Sequence, residues 1–473
     1  MSKELVTKAV EELAPLIQKR EVSSLELTKA VLDHAESTDE TINAFVSMRR
    51  AEAEKEAAKV DEEIASGTYK GMYHGIPMAV KDNLYFKDEV TTMASKIDRD
   101  FKPAYSATII DKMRDAGIVF TGKLNMHEYA WGITNNNPHF GACRNPWNTD
   151  MIPGGSSGGS GAAVASDMSV ASLGTDTAGS IRIPSSACGI VGLKPTHGRV
   201  SKYGCFPLAW TLDHIGPMTK TVKDAAGLLE VIEGYDPNDP TSLQAPTGNY
   251  VDKLTGNVKD LVIGVNEEYF FNQVDSEVEK LVRKGIETLE KQGAKIEVIR
   301  IPGLKHAEYA ELVTSLSEAS AIHHRNLQTR PDDYGSDIRL LFELGELPSA
   351  VDYLQAQQLR RQLKLDFQQA FEKIDVLIAP TLPIVPPEIG ADTVNLNGEQ
   401  VDLINHIIRF TGPGNLTGLP SLSVPCGIAR DNMPVGMQII GPALREDLVL
   451  NTGLAFEQTN PMKGKKPSLA KPV

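Results

Sequence analysis

Short apolar runs alternating with helical patterns place this chain in the α/β class, a sheet with helices packed on both faces. Eight runs read as buried strands: Ile76 to Val80, Ile118 to Thr121, Val170 to Leu173, Leu261 to Val265, Ile296 to Ile301, Val376 to Ile378, Leu422 to Val424 and Gly436 to Ile440. Between many of them lie helical patterns at Ser106 to Ala116, Ala162 to Ser166, Val274 to Gln292 and Ala350 to Lys373. The third observation is size. A chain of 473 residues, 41% hydrophobic and 23% charged, buries an ample core without disulfides or a structural metal.

The elements follow in chain order. Ser23-Ser24-Leu25-Glu26 has the S-x-x-E pattern of a capping box ahead of Leu27, Val31 and Leu32, so a helix starts there. Ala51 to Ala65, rich in Ala, Glu and Lys, is a second helix with a solvated face. From Gly75 the texture changes to apolar runs punctuated by glycine and proline. Gly234 to Gly256, rich in Pro, Asp, Asn, Gly and Thr, reads as a surface connection between two halves of one sheet. The expected organisation is one domain over 1–473: a helical region 1–70, a motif-bearing core 71–220 and a C-terminal part 257–460 of the same sheet.

Composition excludes several functions. The net charge of −14 disfavours phosphate backbones and anionic membranes, so neither nucleic acid nor membrane is expected as partner. The basic run Lys463-Gly464-Lys465-Lys466 reads as a solvated end. Cys143, Cys188, Cys205 and Cys426 form no Cys-x-x-Cys pair and read as reduced thiols. There is no signal-peptide pattern at the start and no run near the ~18 apolar residues of a span, so a soluble cytoplasmic protein is expected. No metal-ligand cluster is visible, and no cofactor is expected.

The most unusual segment is Ile152-Pro153-Gly154-Gly155-Ser156-Ser157-Gly158-Gly159-Ser160-Gly161, followed by the helix-compatible Ala162-Ala163-Val164-Ala165. Glycine lets backbone approach a ligand closely, and a helix start supplies free N–H donors. A flexible linker is the plain alternative. A phosphate cradle fits poorly, because the Gly-Lys-Ser/Thr ending is missing. After one more helix and strand comes Gly174-Thr175-Asp176-Thr177-Ala178-Gly179-Ser180-Ile181-Arg182-Ile183-Pro184, a small-residue turn that presents a serine at a strand end. Consecutive backbone N–H groups in such a turn can hold an oxyanion. The G-x-S-x-G elbow does not match.

A serine nucleophile needs a base. His74 and His197 lie near these segments, but neither sits in an active-site signature, and both read as structural or surface residues. Lys81, in Gly75-Ile76-Pro77-Met78-Ala79-Val80-Lys81-Asp82-Asn83, directly follows an apolar strand. Burial there would lower its pKa and free the amine to accept a proton; a surface lysine is the alternative.

Together these three segments resemble the amidase signature family, with support from Gly122 to Glu128, Arg144 to Trp147, Gly192 to Thr196 and Asn415 to Pro420. The resemblance implies that family's fold, a large mixed, mostly parallel central sheet, and a serine–cis-serine–lysine set. Ser180 would be the nucleophile, Ser156 the bridging cis serine and Lys81 the general base. Backbone N–H groups of Thr177, Ala178, Gly179 and Ser180 would form the oxyanion hole, with Ser157, Asp176 and Arg182 in support. Asp176 and Arg182 would brace the turn, unless they form a plain surface ion pair. Ala178 departs from the family's usual glycine, which would strain the turn if a positive φ were needed there.

The activity implied is amide hydrolysis of a small-molecule substrate, with room for a homodimer. The rival is the A subunit of the glutamyl-tRNA amidotransferase, in which an aspartate reads the amino group of glutamine seven residues before the Asn-Leu-x-Gly-Leu-Pro motif. Ile408 stands there in this chain, and Arg339 reads either as a carboxylate-binding arginine in an imprecise register against Gly345 or as an exposed helix arginine. A stand-alone amidase is therefore the preferred expectation, and a non-catalytic binding subunit the third. Substrate choice is expected to lie in Met126 to Asn137, Phe206 to Leu212 and His306 to Phe342, with Tyr129, Trp131, Phe206 and Trp210 either lining an acyl pocket or packing in the core.

Overall fold

The computed structural model describes residues 2–460, 462 and 464–467. Eleven strands form one sheet: β1 (Phe45–Met48), β2 (Pro77–Lys81), β3 (Val119–Leu124), β4 (Ser172–Asp176), β5 (Val191–Lys194) and β6 (His214–Thr219) from the first half. The second half supplies β7 (Val262–Val265), β8 (Lys295–Val298), β9 (Val376–Pro380), β10 (Ser421–Ile428) and β11 (Pro434–Ile440). Their order across the sheet is β1-β3-β2-β4-β6-β5-β10-β11-β9-β7-β8. One sheet thus crosses both halves of the chain, and the seam between them is the antiparallel pair of β5 and β10.

The sheet is mixed, as expected, but not mostly parallel. Four neighbouring pairs are parallel and six antiparallel. The excess comes from β5, β6, β10 and β11 at the centre, which run antiparallel to one another and to both flanks. All eight expected strands form, and three more join them. β1 is a four-residue edge strand, β6 (His-Ile-Gly-Pro-Met-Thr) carries Gly and Pro inside it, and β5 has a glycine at its second position. Each lacks the uninterrupted apolar run by which the others are readable.

Helices cover the sheet much as their patterns indicate, including Ser24–Ile42, Arg50–Ala65, Ser276–Lys291 and Ala350–Ala370. Ser23 caps the first of these, its hydroxyl accepting from the Glu26 N–H at 3.0 Å. At the tail, Lys463 lies outside the described residues. Lys466 is exposed yet tied down, its ammonium 3.0 Å from the Asp167 carboxylate.

The glycine–serine segment departs from a loop. Its second half is the first turn of a helix, Gly158–Ala165, every residue of which but the last is buried. Small residues are what admit this helix to the core. A Cβ on Gly159 would lie 2.3 Å from the Asn125 carbonyl oxygen and 2.6 Å from that of Ala44. Both obstacles are backbone, so neither can swing away. Replacing Gly159 with alanine is expected to lower stability by about 1–3 kcal/mol, read as a reduced midpoint in urea or thermal unfolding.

Candidate active site

β2 and β4 lie side by side and parallel, with Ala79 opposite Ser172 and Val80 opposite Leu173. Their carboxyl ends therefore emerge together, the usual place for a site in such sheets. Lys81 ends β2, and Thr175 and Asp176 end β4. β2 is buried along its whole length between β3 and β4, which makes Lys81 an interior lysine and not a surface one.

Lys81 Nζ lies 2.7 Å from Ser156 Oγ and 2.7 Å from Thr175 Oγ1. Burial pushes its pKa down to about 7, a shift that Cys205, Asp176 and Asp213 oppose. Near neutral pH a large share of the amine is unprotonated. In that form it donates to Thr175 and accepts from the Ser156 hydroxyl, while Asn83 Nδ2 donates to Thr175 at 3.3 Å. Thr175 is the partner that sequence reading missed. It was visible in the motif, but nothing in a linear pattern shows that its hydroxyl reaches across to the neighbouring strand's lysine.

Ser156 follows a cis peptide bond from Gly155 and is fully buried; its carbonyl accepts from the His127 N–H at 3.1 Å. Ser157 clips the same loop to β4, donating to the Thr175 carbonyl at 3.2 Å and accepting from its N–H at 3.3 Å. Ser180 is 7% exposed and faces a cavity of about 90 Å³. Lys81 and Ser156 are thus joined directly, whereas no hydrogen bond among the described residues links Ser156 to Ser180. Links of this kind commonly close only around a bound substrate.

The turn that carries Ser180 is held from behind. Arg182 and Asp176 are both fully buried, so this is no surface pair. Arg182 Nε donates to Asp176 Oδ2 at 3.0 Å and Nη2 to Oδ1 at 2.9 Å. Burial raises the Asp176 pKa, but Arg182, Lys194 and Asn415 outweigh it and bring the group down to about 2. Its ionised form therefore stabilises the fold at neutral pH, a contribution lost only as pH falls from 3.8 toward about 2. Asp213, not anticipated from sequence, accepts from the Thr177 hydroxyl at 2.6 Å and from the Leu208 N–H at 3.0 Å.

Ala178 causes no strain. The positive φ of this turn, 136°, falls on Gly179, and Ala178 is not among the residues with φ in that region. Among the described residues the N–H groups of Thr177, Ala178, Gly179 and Ser180 donate to no protein acceptor. Four unspent donors beside a serine are the raw material of an oxyanion hole.

Among the described residues, His74 and His197 bond neither Ser156 nor Ser180. His74 bonds Glu63 at 3.2 Å, and His214 donates from Nδ1 to the Leu212 carbonyl at 2.6 Å. Burial and neighbouring cations push His197 down to about 2, so it stays neutral. Among the described residues no group of three or more His, Cys, Asp or Glu is placed to hold a metal ion, and no helix is long and apolar enough to cross a membrane.

The cavity wall draws on the three expected segments, through Trp131, Leu208, Glu311 and Leu341, and on an unforeseen fourth, Ile404 to Ile408. Of the four aromatic residues named, Trp131 lines it. Tyr129 packs against Phe206 at 5.2 Å between ring centres, and Trp210 is 43% exposed. A larger opening of about 620 Å³ lies between the two ends of the chain, around Thr7, Lys220 and Lys466, and contains none of the site residues.

The Amidase family matches residues 26–450 of this chain. The chain is 39% identical to the glutamyl-tRNA(Gln) amidotransferase A subunit of Trichormus variabilis, over 98% of its own length and all of the relative's. Among solved structures, it superposes on a protein from a vestigial complex linked to the origins of an s-triazine catabolic enzyme. The TM-score is 0.92 at 33% identity, covering 98% of this chain and 100% of that one. A bacterial aryl acylamidase of the amidase signature enzymes gives 0.88 at 28% identity, covering 96% of both chains.

Two expectations follow from the geometry. If neutral Lys81 is the base, kcat/KM for an amide should rise with unit slope as the ammonium loses its proton and level off above about pH 7. Lys81→Arg, which stays protonated, should cost roughly 10²–10⁴-fold at every pH. Thr175→Val should reduce kcat/KM by about tenfold and move the midpoint of that profile to lower pH, because the ammonium loses an acceptor. A midpoint unmoved by Thr175→Val would assign Thr175 to packing alone.

Proposed function

Because this chain belongs to the amidase signature family, we propose that it hydrolyses small carboxamides on its own, through an acyl-enzyme at Ser180. Neutral Lys81 takes the Ser156 hydroxyl proton as Ser156 takes that of Ser180, and Ser180 attacks the amide carbonyl. The N–H groups from Thr177 to Ser180 receive the developing oxyanion. The relay then runs backwards to protonate the leaving amine, and water, activated by the same chain of groups, releases the acid. Each role is local: the lysine is desolvated, the bridging hydroxyl both donates and accepts, and the donors are unspent.

The observation that carries the stand-alone reading is Ile408 in the cavity wall. In the amidotransferase protein that position provides the aspartate that reads glutamine's amino group. Arg339 is no substitute, since it is bound to Glu343 and Asp332, each at 2.7 Å, on the outer face of its helix. Apolar neighbours such as Trp131, Ile183 and Leu341 favour a compact acyl chain. Four unpaired thiols are in keeping with a cytoplasmic enzyme.

The amidotransferase reading keeps one argument, the 39% identity to that protein over nearly the whole chain. Purified protein alone, offered simple aliphatic and aryl amides beside glutamine, separates the two. The proposal expects release of ammonia or amine that Ser180→Ala abolishes, together with a Ser180-dependent mass gain from a fluorophosphonate. Glutamine turnover seen only with partner subunits and charged tRNA would support the rival. No mass gain at all would point to a binding role without catalysis.

A further inference from the structure

Among the residues that line the Ser180 cavity, Glu311 is the one acidic or basic side chain, in a wall otherwise of apolar groups and the neutral polar Thr177, Ser315 and Asn405. Glu311 stands in the first turns of the helix Ala307–Thr329 and is 2% exposed. Its Oε1 accepts from the Ser315 hydroxyl at 3.0 Å, one helical turn away. Its Oε2 is buried and has no hydrogen-bonding partner among the described residues. A Cβ built on Gly412 would sit 3.8 Å from that oxygen, so the carboxyl lies against the backbone that follows Thr411. The Thr411 hydroxyl in turn holds the carbonyl of Ala178, two residues before the nucleophile. Glu311 therefore shares a wall with the turn that does the chemistry.

No group among the described residues claims the free oxygen. Arg360 is the nearest influence of opposite charge, yet its guanidinium is occupied by the Leu416 and Thr211 carbonyls at 2.7 Å and the Thr211 hydroxyl at 2.8 Å. Burial pushes the Glu311 acid up to about 8, which leaves it neutral until a cation arrives. A carboxyl kept buried, half-bonded and open to a substrate cavity has an external partner as its simplest purpose. The hydroxyl already donated by Ser315 suits the ionised form, and the chain's charge of −14 draws cations toward it.

We infer that Glu311 is a specificity-determining residue, its free Oε2 receiving an ammonium group at the far end of the substrate's acyl chain. The class of substrate is then an aminoacyl amide, with an apolar stem along Trp131 and Leu341 and a basic nitrogen at the end. The inference rests on Ser180 being the acylated serine and narrows that reading.

The test labels Ser180 with alkyl fluorophosphonates matched in chain length and ending in a primary amine, a methyl or a methyl ether. Wild-type protein should react about tenfold faster with the amine-ended probe than with the methyl-ended one. Glu311→Gln should bring that ratio close to one, and because the ratio compares two probes on the same protein, any change in the nucleophile or the fold common to both cancels from it. Glu311→Leu should turn the preference toward methyl. A wild-type ratio at or below one, or a ratio unmoved by Glu311→Gln, overturns the inference and leaves Ser180 chemistry standing. Preference for the ether overturns it in favour of a neutral acid that donates. Labelling by none of the probes overturns the acyl-enzyme reading, and this inference with it.

Discussion

The site depends on one buried ion pair. A guanidinium has five N–H donors, and removing it from water is costly unless each finds an acceptor. Arg182 places all five. Two go to Asp176, and the others to the Thr411 carbonyl at 2.9 Å, Gln438 Oε1 at 2.6 Å and Asn415 Oδ1 at 2.6 Å. Asp176 is matched as fully, accepting also from the Ile181 N–H at 3.2 Å and from Asn415 Nδ2 at 2.8 Å. The turn bearing Ser180 is thus welded to segments more than 200 residues later in the chain. With its back fixed in this way, the turn keeps its own N–H groups turned away from the protein and available.

Lys81 reaches its unusual state by a related logic. An ammonium in a strand buried on both sides, offered two hydroxyls and no contacting carboxylate, is held there at a cost to folding. The carboxylates that act on it from a distance are already committed, Asp176 to Arg182 and Asp213 to Thr177. That commitment keeps the amine free of a salt bridge that would raise its pKa. Stability is given up at this position for an amine that can accept a proton near neutral pH.

Much of this was legible in the sequence, for identifiable reasons. Strands such as Val376–Pro380 show themselves as unbroken apolar runs, and Ser156 and Ser180 stand in glycine- and serine-rich segments, whereas Lys81 shows only as a lysine directly after an apolar strand and is singled out by the family resemblance. What stayed hidden depends on the third dimension. The antiparallel centre arises from β5 and β6, whose glycine and proline mask their period. Thr175, Asp213 and Glu311 belong to common residue types in ordinary contexts. They acquire meaning only when a neighbouring strand, a loop or a cavity is brought beside them. Ala178 shows the reverse case, a departure from pattern that the backbone absorbs because its neighbour Gly179 takes the positive φ.

The cavity beside Ser180 has a floor and a wall with separate origins. The floor is the turn that carries Thr177, Ala178 and Ser180, while much of the wall comes from 311 to 341 and from 404 to 408. Little of the bonding that sets the lysine and its serine passes through those wall residues. Substitutions there can accumulate with the amide-cleaving apparatus intact, so substrate preference can drift between lineages much faster than the reaction. For a chain of this kind, overall identity is accordingly a sound guide to what bond is broken and a poor one to whose bond it is.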